Sequence, residues 1–323
     1  MSFVSLFISA VHRSKRPREL LGVDIGDVAI RLVALAPIGG ELSLQHASEL
    51  ALPHGTMDGG RIVQFDAVVA ALQEWVGPRG RPPAVLALPE HQLARRWLPA
   101  TWCLAAPTIE AHAAHLLGND AMSVRYDMIA GGVHSRGKRG RRLLIAALDD
   151  CVDERAAVAE AAGLAPHAID AERLAVQRAF VHAQPAAGAP ASASCGLLAM
   201  DGGGAYLSVF HGSRLVAEQN LPSEDTLATP VDGDDATHWL AAGRSVAQAL
   251  PRLPVIVTGL WLAGEGAGQP GLEEAIGQIT RLPTANFDPF SKLSASGGAT
   301  LPPVVQRSAY AAACGLAMHG IVS

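Results

Sequence analysis

The sequence predicts a two-halved α/β protein in which each half opens on an antiparallel meander with an Asp-Gly turn between its first two strands. Three observations carry this reading. Residues 20–35 run as apolar strand, the turn Asp24-Ile25-Gly26, and apolar strand. Residues 195–210 repeat the device around Asp201-Gly202-Gly203-Gly204. In both halves a third alternating strand follows, then a helix with apolar residues at 3.6-residue spacing, then a buried strand. With 323 residues, 49% of them hydrophobic, the chain is long enough to bury a core in each of two domains.

In the first half, a third strand is predicted over 41–47. Phe65, Val68, Val69, Leu72, Trp75 and Val76 then recur at helical spacing and stop at Gly77-Pro78, and 83–88 reads as a buried strand. Residues 93–148 read as an insertion: a helix over 108–117, a strand over 122–129, a basic solvated hairpin over 131–142 and a strand over 143–148. Residues 149–162 form a helix whose first-turn acids complement its dipole, with Gly163 as its stop. A short strand ends at Ile169-Asp170, and Asp170-Ala171-Glu172 opens a helix to 181. The Pro-, Ala- and Ser-rich stretch 184–194 is a linker. The domains are therefore a tail at 1–19, a first half at 20–183 and a second half at 195–323. In the second half strands are expected over 195–200, 205–210, 214–219 and 254–262, and helices over 236–250, 272–279 and 302–318.

Net charge of −5 leaves no basic footprint, which excludes nucleic acid as the main partner. Aromatic content of 5% argues against a base-stacking platform. Cys103, Cys151, Cys195 and Cys314 are scattered with no Cys-x-x-Cys pair, as in a reducing compartment. His112 and His115 would share a helix face, but no cysteine or carboxylate set completes a metal shell there. At the N-terminus an apolar run precedes the basic cluster Arg13, Lys15, Arg16, Arg18. That order and length fit neither a signal peptide nor a membrane span; they leave a plain tail or an interfacial segment using Phe3, Leu6 and Phe7.

Glycine carries the binding chemistry, because backbone N–H groups of an Asp-Gly turn can approach phosphate oxygens while the acid holds a metal-bound water. A rival signal is Gly266-Ala267-Gly268-Gln269-Pro270-Gly271 with Asp288 beyond it, which matches a dinucleotide fingerprint. Little more than one strand and one helix remain after it, so it reads better as a turn packed on a nucleoside.

Taken in order, Asp24-Ile25-Gly26, Asp170 with Glu172, Asp201-Gly202-Gly203 and Ala263-Gly264-Glu265-Gly266-Ala267 resemble the actin/Hsp70-like ATPase fold. Leu21-Gly22-Val23-Asp24-Ile25-Gly26 with Arg31-Leu32-Val33, Glu160-Ala161-Ala162-Gly163-Leu164, Pro270-Gly271-Leu272, Asp288-Pro289-Phe290 and the stretch 310–317 resemble, more narrowly, the PilM family. That family is the cytoplasmic actin-like component of the type IV pilus inner-membrane platform, and the resemblance spans 20–318. It implies two similar half-domains with an inserted subdomain in the first, and ATP with Mg2+ in the cleft between them. It also implies a groove in the first half for the N-terminal peptide of PilN, a bitopic membrane protein. Pilus motor ATPases or the platform protein would be further partners, and the location would be the cytoplasmic face of the inner membrane.

Carried over by position, Asp24, Gly26 and Asp27 would form the first phosphate turn, with Arg31 in the place of a usual lysine. Asp170 and Glu172 would stand near a metal-bound water, and Asp201, Gly202 and Gly203 would form the second turn. Gly264, Gly266 and Ala267 would meet the nucleoside, and Asp24 and Asp201 would hold Mg2+ through water. No catalytic residue is assigned; the alternative reading is an active ATPase or phosphotransferase of the same superfamily. Asp27, Val28 and Ala29 depart from the hydroxyl-bearing residues common there, and the charge of Asp27 would repel phosphate. The departures imply weak or lost nucleotide binding. In the insertion an apolar helix face with Ile109 and Leu116 and the aromatics Trp97 and Trp102 offer a peptide its anchors, with ordinary core as the alternative reading of the two tryptophans.

Overall fold

The computed structural model describes residues 17, 19–77, 80–99, 106–118, 123–130, 141–184, 194–201, 204–221, 235–296 and 299–320. The N-terminal apolar run, Trp102, Gly202, Gly203 and nearly all of the linker and basic hairpin lie outside these residues. The chain forms two compact units, one of Met1–Arg178, Leu293–Leu301 and Ala312–Ser323, the other of Ala179–Lys292 and Pro302–Ala311.

The first unit begins with β1 (Leu20–Ile25), β2 (Ala29–Ile38) and β3 (Glu41–Ala51), an antiparallel meander. A small hairpin of β4 (Met57–Asp58) and β5 (Arg61–Ile62) precedes helix α1 (Phe65–Val76). β6 (Pro83–Leu88) returns parallel to β1. The insertion then supplies β7 (Ala94–Pro99), α2 (Ala106–Leu116), β8 (Val124–Ala130) and β9 (Arg141–Leu148), whose strands form a separate antiparallel sheet in the order β7-β9-β8. Helix α3 (Asp149–Ala161) leads to β10 (Ala165–Ala171), parallel to β6, and α4 (Glu172–Ala183) follows.

In the second unit β11 (Ser194–Asp201), β12 (Gly204–His211) and β13 (Arg214–Asn220) repeat the meander, followed by α5 (Asp235–Ala249). Next come β14 (Val257–Ala263), α6 (Leu272–Thr280) and β15 (Thr284–Asn286), with β14 parallel to β11 and β15 parallel to β14. β16 (Ser294–Ala295) joins the edge of β3 in the first unit, and α7 (Ala311–Ala317) closes the chain.

β1, β2 and β6 of the first sheet are largely apolar along their length because both faces are covered. On one face Leu21, Val23, Ile30 and Leu32 pack with Val68 and Leu72 of α1 and Val152 and Val158 of α3. On the other, Leu20, Val85 and Ala168 meet Ala175 of α4 and Leu316 of α7. Gly22 is required there: a β-carbon would overlap the Ala313 carbonyl oxygen of α7. Gly163, at φ 85°, ends α3, its N–H donating to the Glu160 carbonyl.

The structure adds and shifts elements. The hairpin β4–β5 and strand β7 are new; the first is too short to show a period, and Arg95 and Arg96 hide the second. The strand expected over 254–262 runs over 257–263. The helix expected over 302–318 is instead a 3-10 segment, Val304–Tyr310, followed by α7. Its Ser308 carbonyl accepts from Gly264 N–H at 3.0 Å, a bond from outside the helix. Among the described residues, no helix is long and apolar enough to cross a membrane.

Candidate functional site

The first Asp-Gly turn joins β1 to β2 tightly, Gly26 N–H donating to the Ala29 carbonyl at 3.0 Å. Gly26 is not among the described glycines of positive φ. Asp24 is half-buried near the end of β1 and stands opposite Arg31, which stands opposite Glu49, a row of three charges across β1, β2 and β3. The Arg31 Nε donates to Glu49 Oε2 at 2.9 Å. The sequence placed Arg31 at the phosphates, but its strand register ties it into this row.

Asp27 points into the β4–β5 hairpin, where its Oδ1 accepts from Gly60 N–H at 2.8 Å. Gly60 has φ 78°, and a β-carbon there would meet the His91 ring at 2.7 Å. The Gly60 carbonyl accepts from Arg155 Nη2 at 2.6 Å and Gln92 Nε2 at 3.3 Å. Thus α3, the hairpin and the 3-10 turn Glu90–Gln92 converge behind the first turn. Burial lowers the pKa of the His91 imidazole, and Asp27 opposes that shift. Burial likewise pulls down the Arg155 guanidinium, with Glu154, Asp24, Cys151 and Glu172 pulling it back.

Asp170 departs furthest from the sequence reading. It is wholly buried, and its Oδ1 accepts from the Ala171 N–H at 2.8 Å. Its Oδ2 accepts from Arg178 Nη2 at 2.8 Å and lies 2.9 Å from His319 Nδ1. Arg178 also donates to the Gly315 carbonyl at 2.6 Å. Burial alone would raise the Asp170 pKa; Arg178 and His319 reverse that and hold it at about 2. With both oxygens engaged, Asp170 fastens β10 and α4 to the C-terminal segment. Glu172 is half-buried at the first position of α4.

The second turn is built differently. Asp201 ends β11, and its Oδ1 accepts from Glu265 N–H at 2.9 Å. Gly264, at φ 90°, lies against that carboxylate so closely that a β-carbon would stand 2.6 Å from Oδ1 and 2.7 Å from Oδ2. Gly266 and Ala267 continue this loop as buried residues of a 3-10 segment. The structure therefore brings Asp201, Gly264, Gly266 and Ala267 together within one unit. Asp288, the acid of the dinucleotide reading, pairs with Arg307 at 2.7 Å and caps the Phe290 N–H at 2.9 Å. Among the described residues, no three His, Cys, Asp or Glu side chains could hold a metal ion between them.

The inserted sheet is a third feature of interest. One face packs on α2 through Leu98, Ile109, Ala113, Leu144 and Ala146. Ile109 is thus core and not a peptide anchor, while Leu116 is only partly buried. Trp97 is half-buried beside Ile129, Leu143, Ile145 and Leu174 on the opposite face. β7 and β8 each pair with β9 alone among the described strands, which makes them the outer strands of this sheet as described.

The convergence on Gly60 and Arg155 was not foreseen. A signal existed: Val152, Arg155, Val158 and Ala159 recur on one helical face, which puts a guanidinium among buried apolar residues, and the doublet Gly59-Gly60 marks a hairpin.

A family model described as "Type IV pilus assembly protein PilM" matches residues 22–211. No curated protein matches the chain. Among solved structures, a chain of the "PilM-PilN type IV pilus biogenesis complex" aligns with a TM-score of 0.71 at 18% identity, covering 94% of this chain and 99% of that one. The ethanolamine utilization protein EutJ from Carboxydothermus hydrogenoformans aligns with a TM-score of 0.52 at 12% identity, covering 95% of this chain and 91% of that one. The fold is α/β of the actin-like ATPase class, as the duplicated sheet topology requires.

Proposed function

The chain belongs to the type IV pilus assembly protein PilM family, and we propose on that premise that it is a scaffold of the pilus assembly platform that captures the cytoplasmic N-terminal peptide of a PilN-type inner-membrane protein. The observation that supports this most is the inserted sheet of the first unit, with edges on β7 and β8 and a half-buried tryptophan beside them. An extended peptide can add as a strand to such an edge, main-chain hydrogen bonds giving affinity and alternate side chains giving selectivity. The partner then places the protein at the cytoplasmic face of the inner membrane, where pilus motor ATPases or the platform protein are the further contacts.

Nucleotide, in this proposal, is a secondary ligand that steadies the fold or regulates peptide capture. The residues fit that role in part. Asp201 and the Gly264–Ala267 loop are preassembled in the second unit, and Asp24 stands at the first turn. Asp170 is engaged by Arg178 and His319, and this proposal gives it a structural part. Mg-ATP, where bound, would supply its own phosphate charge and a hydrated cation.

Calorimetric titration of the full chain with a synthetic PilN-type N-terminal peptide, with and without Mg-ATP, tests the reading. Saturable peptide binding in both conditions is expected. Peptide binding absent in both, with ATP turnover present, would replace the scaffold by an ATPase.

A further inference from the structure

We propose that Arg155 is the phosphate-binding cation of the first turn, the role that the sequence suggested for Arg31. The proposal rests on the nucleotide reading above and adds to it a residue and a polyphosphate chemistry. Arg155 is 1% exposed on the inner face of α3. Its Nη2 donates to the Gly60 carbonyl, while its Nε and Nη1 are buried with no hydrogen-bond partner. Gln92 Oε1, whose amide nitrogen bonds the same carbonyl, is also buried without a partner. The Gly60 N–H in turn holds Asp27 of the turn. The single residue Gly60 therefore couples the guanidinium to the candidate phosphate turn.

A guanidinium stays charged in a protein interior. Removing it from water with two nitrogens unpaired is strongly unfavourable unless something completes the shell. Arg178, another buried arginine of this unit, has Asp170 and the Gly315 carbonyl as acceptors. The carboxylates of Asp24 and Glu172 act on Arg155 electrostatically and favour its charged form.

The missing partner is an oxyanion. Nε–H and Nη1–H leave the planar guanidinium from different edges, so acceptor oxygens on neighbouring phosphoryl groups reach both, whereas one planar carboxylate meets a single edge. The negative charge of Asp24, Asp27 and Glu172 nearby selects a polyphosphate that arrives with a cation. No described acid cluster would strip that cation of water, so it enters hydrated, its waters donating to acceptors such as Gln92 Oε1.

The test is calorimetric binding of magnesium tripolyphosphate and of Mg-ATP to the full chain and to its R155Q and R155K variants. R155Q should lose tenfold or more in affinity for both ligands, and R155K, which keeps a point charge but not the fork, should recover part of it. Loss for ATP alone would assign the site to nucleotides, and loss for both to polyphosphate in general. Unchanged ATP affinity in a folded R155Q protein would overturn this inference and leave the nucleotide reading standing, whereas a wild-type chain that binds neither ligand would remove both. Should R155Q not fold, the 15Nε resonance of Arg155 in the wild type decides: a shift on adding tripolyphosphate supports the contact, and an unmoved resonance contradicts it.

Discussion

The two units share one strand plan and diverge in what each adds to it. In the first, the order β10-β6-β1-β2-β3 sets three parallel strands beside an antiparallel pair; in the second, β15-β14-β11-β12-β13 does the same. The crossover from β6 to β10 carries a whole extra sheet with α2, whereas that from β14 to β15 carries only the Gly264–Gly268 turn and α6. The acids at the turns diverge accordingly. Asp201 fixes the glycine loop that follows the neighbouring strand, whereas Asp27 leans on a separate hairpin backed by Arg155. One sequence signature thus serves two supports, because the turn motif specifies a bend and its partners come from elsewhere in the chain.

The largest break in this comparison should come from the first unit's charged lock, which has no described counterpart in the second. Asp170→Ala leaves Arg178 buried without its carboxylate, and breaking such a pair costs about 3–5 kcal/mol. Urea unfolding should show that loss, and a change under about 1 kcal/mol would mean that the lock contributes little. The same group sets an acid limit. Its pKa in the fold, about 2, lies below its ordinary 3.8, so its stabilisation is complete above about pH 4 and disappears as pH falls toward 2. Acid titration of wild type against Asp170→Asn should show the wild type alone losing stability through that window.

A smaller effect tests the second turn. Gly264→Ala adds a carbon at φ 90° against the Asp201 carboxylate, a strain of about 1–3 kcal/mol. It should lower the melting temperature and weaken Mg-ATP binding, and peptide affinity should be unchanged. Equal loss of both ligands would mean that the two functions are not divided as the comparison holds. The smallest change belongs to the first turn: Asp27→Ala removes one hydrogen bond to Gly60, worth about 1 kcal/mol. It should leave ATP binding unchanged or improved, since a negative charge leaves the turn.

What the sequence disclosed and concealed follows from range. The meanders, α1 and the Gly163 stop were legible because alternation, helical spacing and a terminal glycine are local signals. The partners of Asp170 were not, since Arg178 sits on the next element, eight residues on, and His319 is 149 residues distant. The acid therefore looked like a ligand when it is a clasp. Arg31 looked like a phosphate contact because the motif fixed its position, whereas the β2–β3 register gave it Glu49. Arg155 was hidden for a different reason: the acids around it in α3 mask the helical face it shares with Val152, Val158 and Ala159.

The central claim is that the insertion, and not the Asp-Gly turns, receives the partner peptide. Hydrogen exchange of the full chain with saturating PilN-type peptide, with and without Mg-ATP, tests it directly. Protection should appear within residues 93–148, strongest along β7 or β8, in both conditions. Protection confined to the turns at Asp24 and Asp201, with the insertion exchanging as in the free protein, would contradict it.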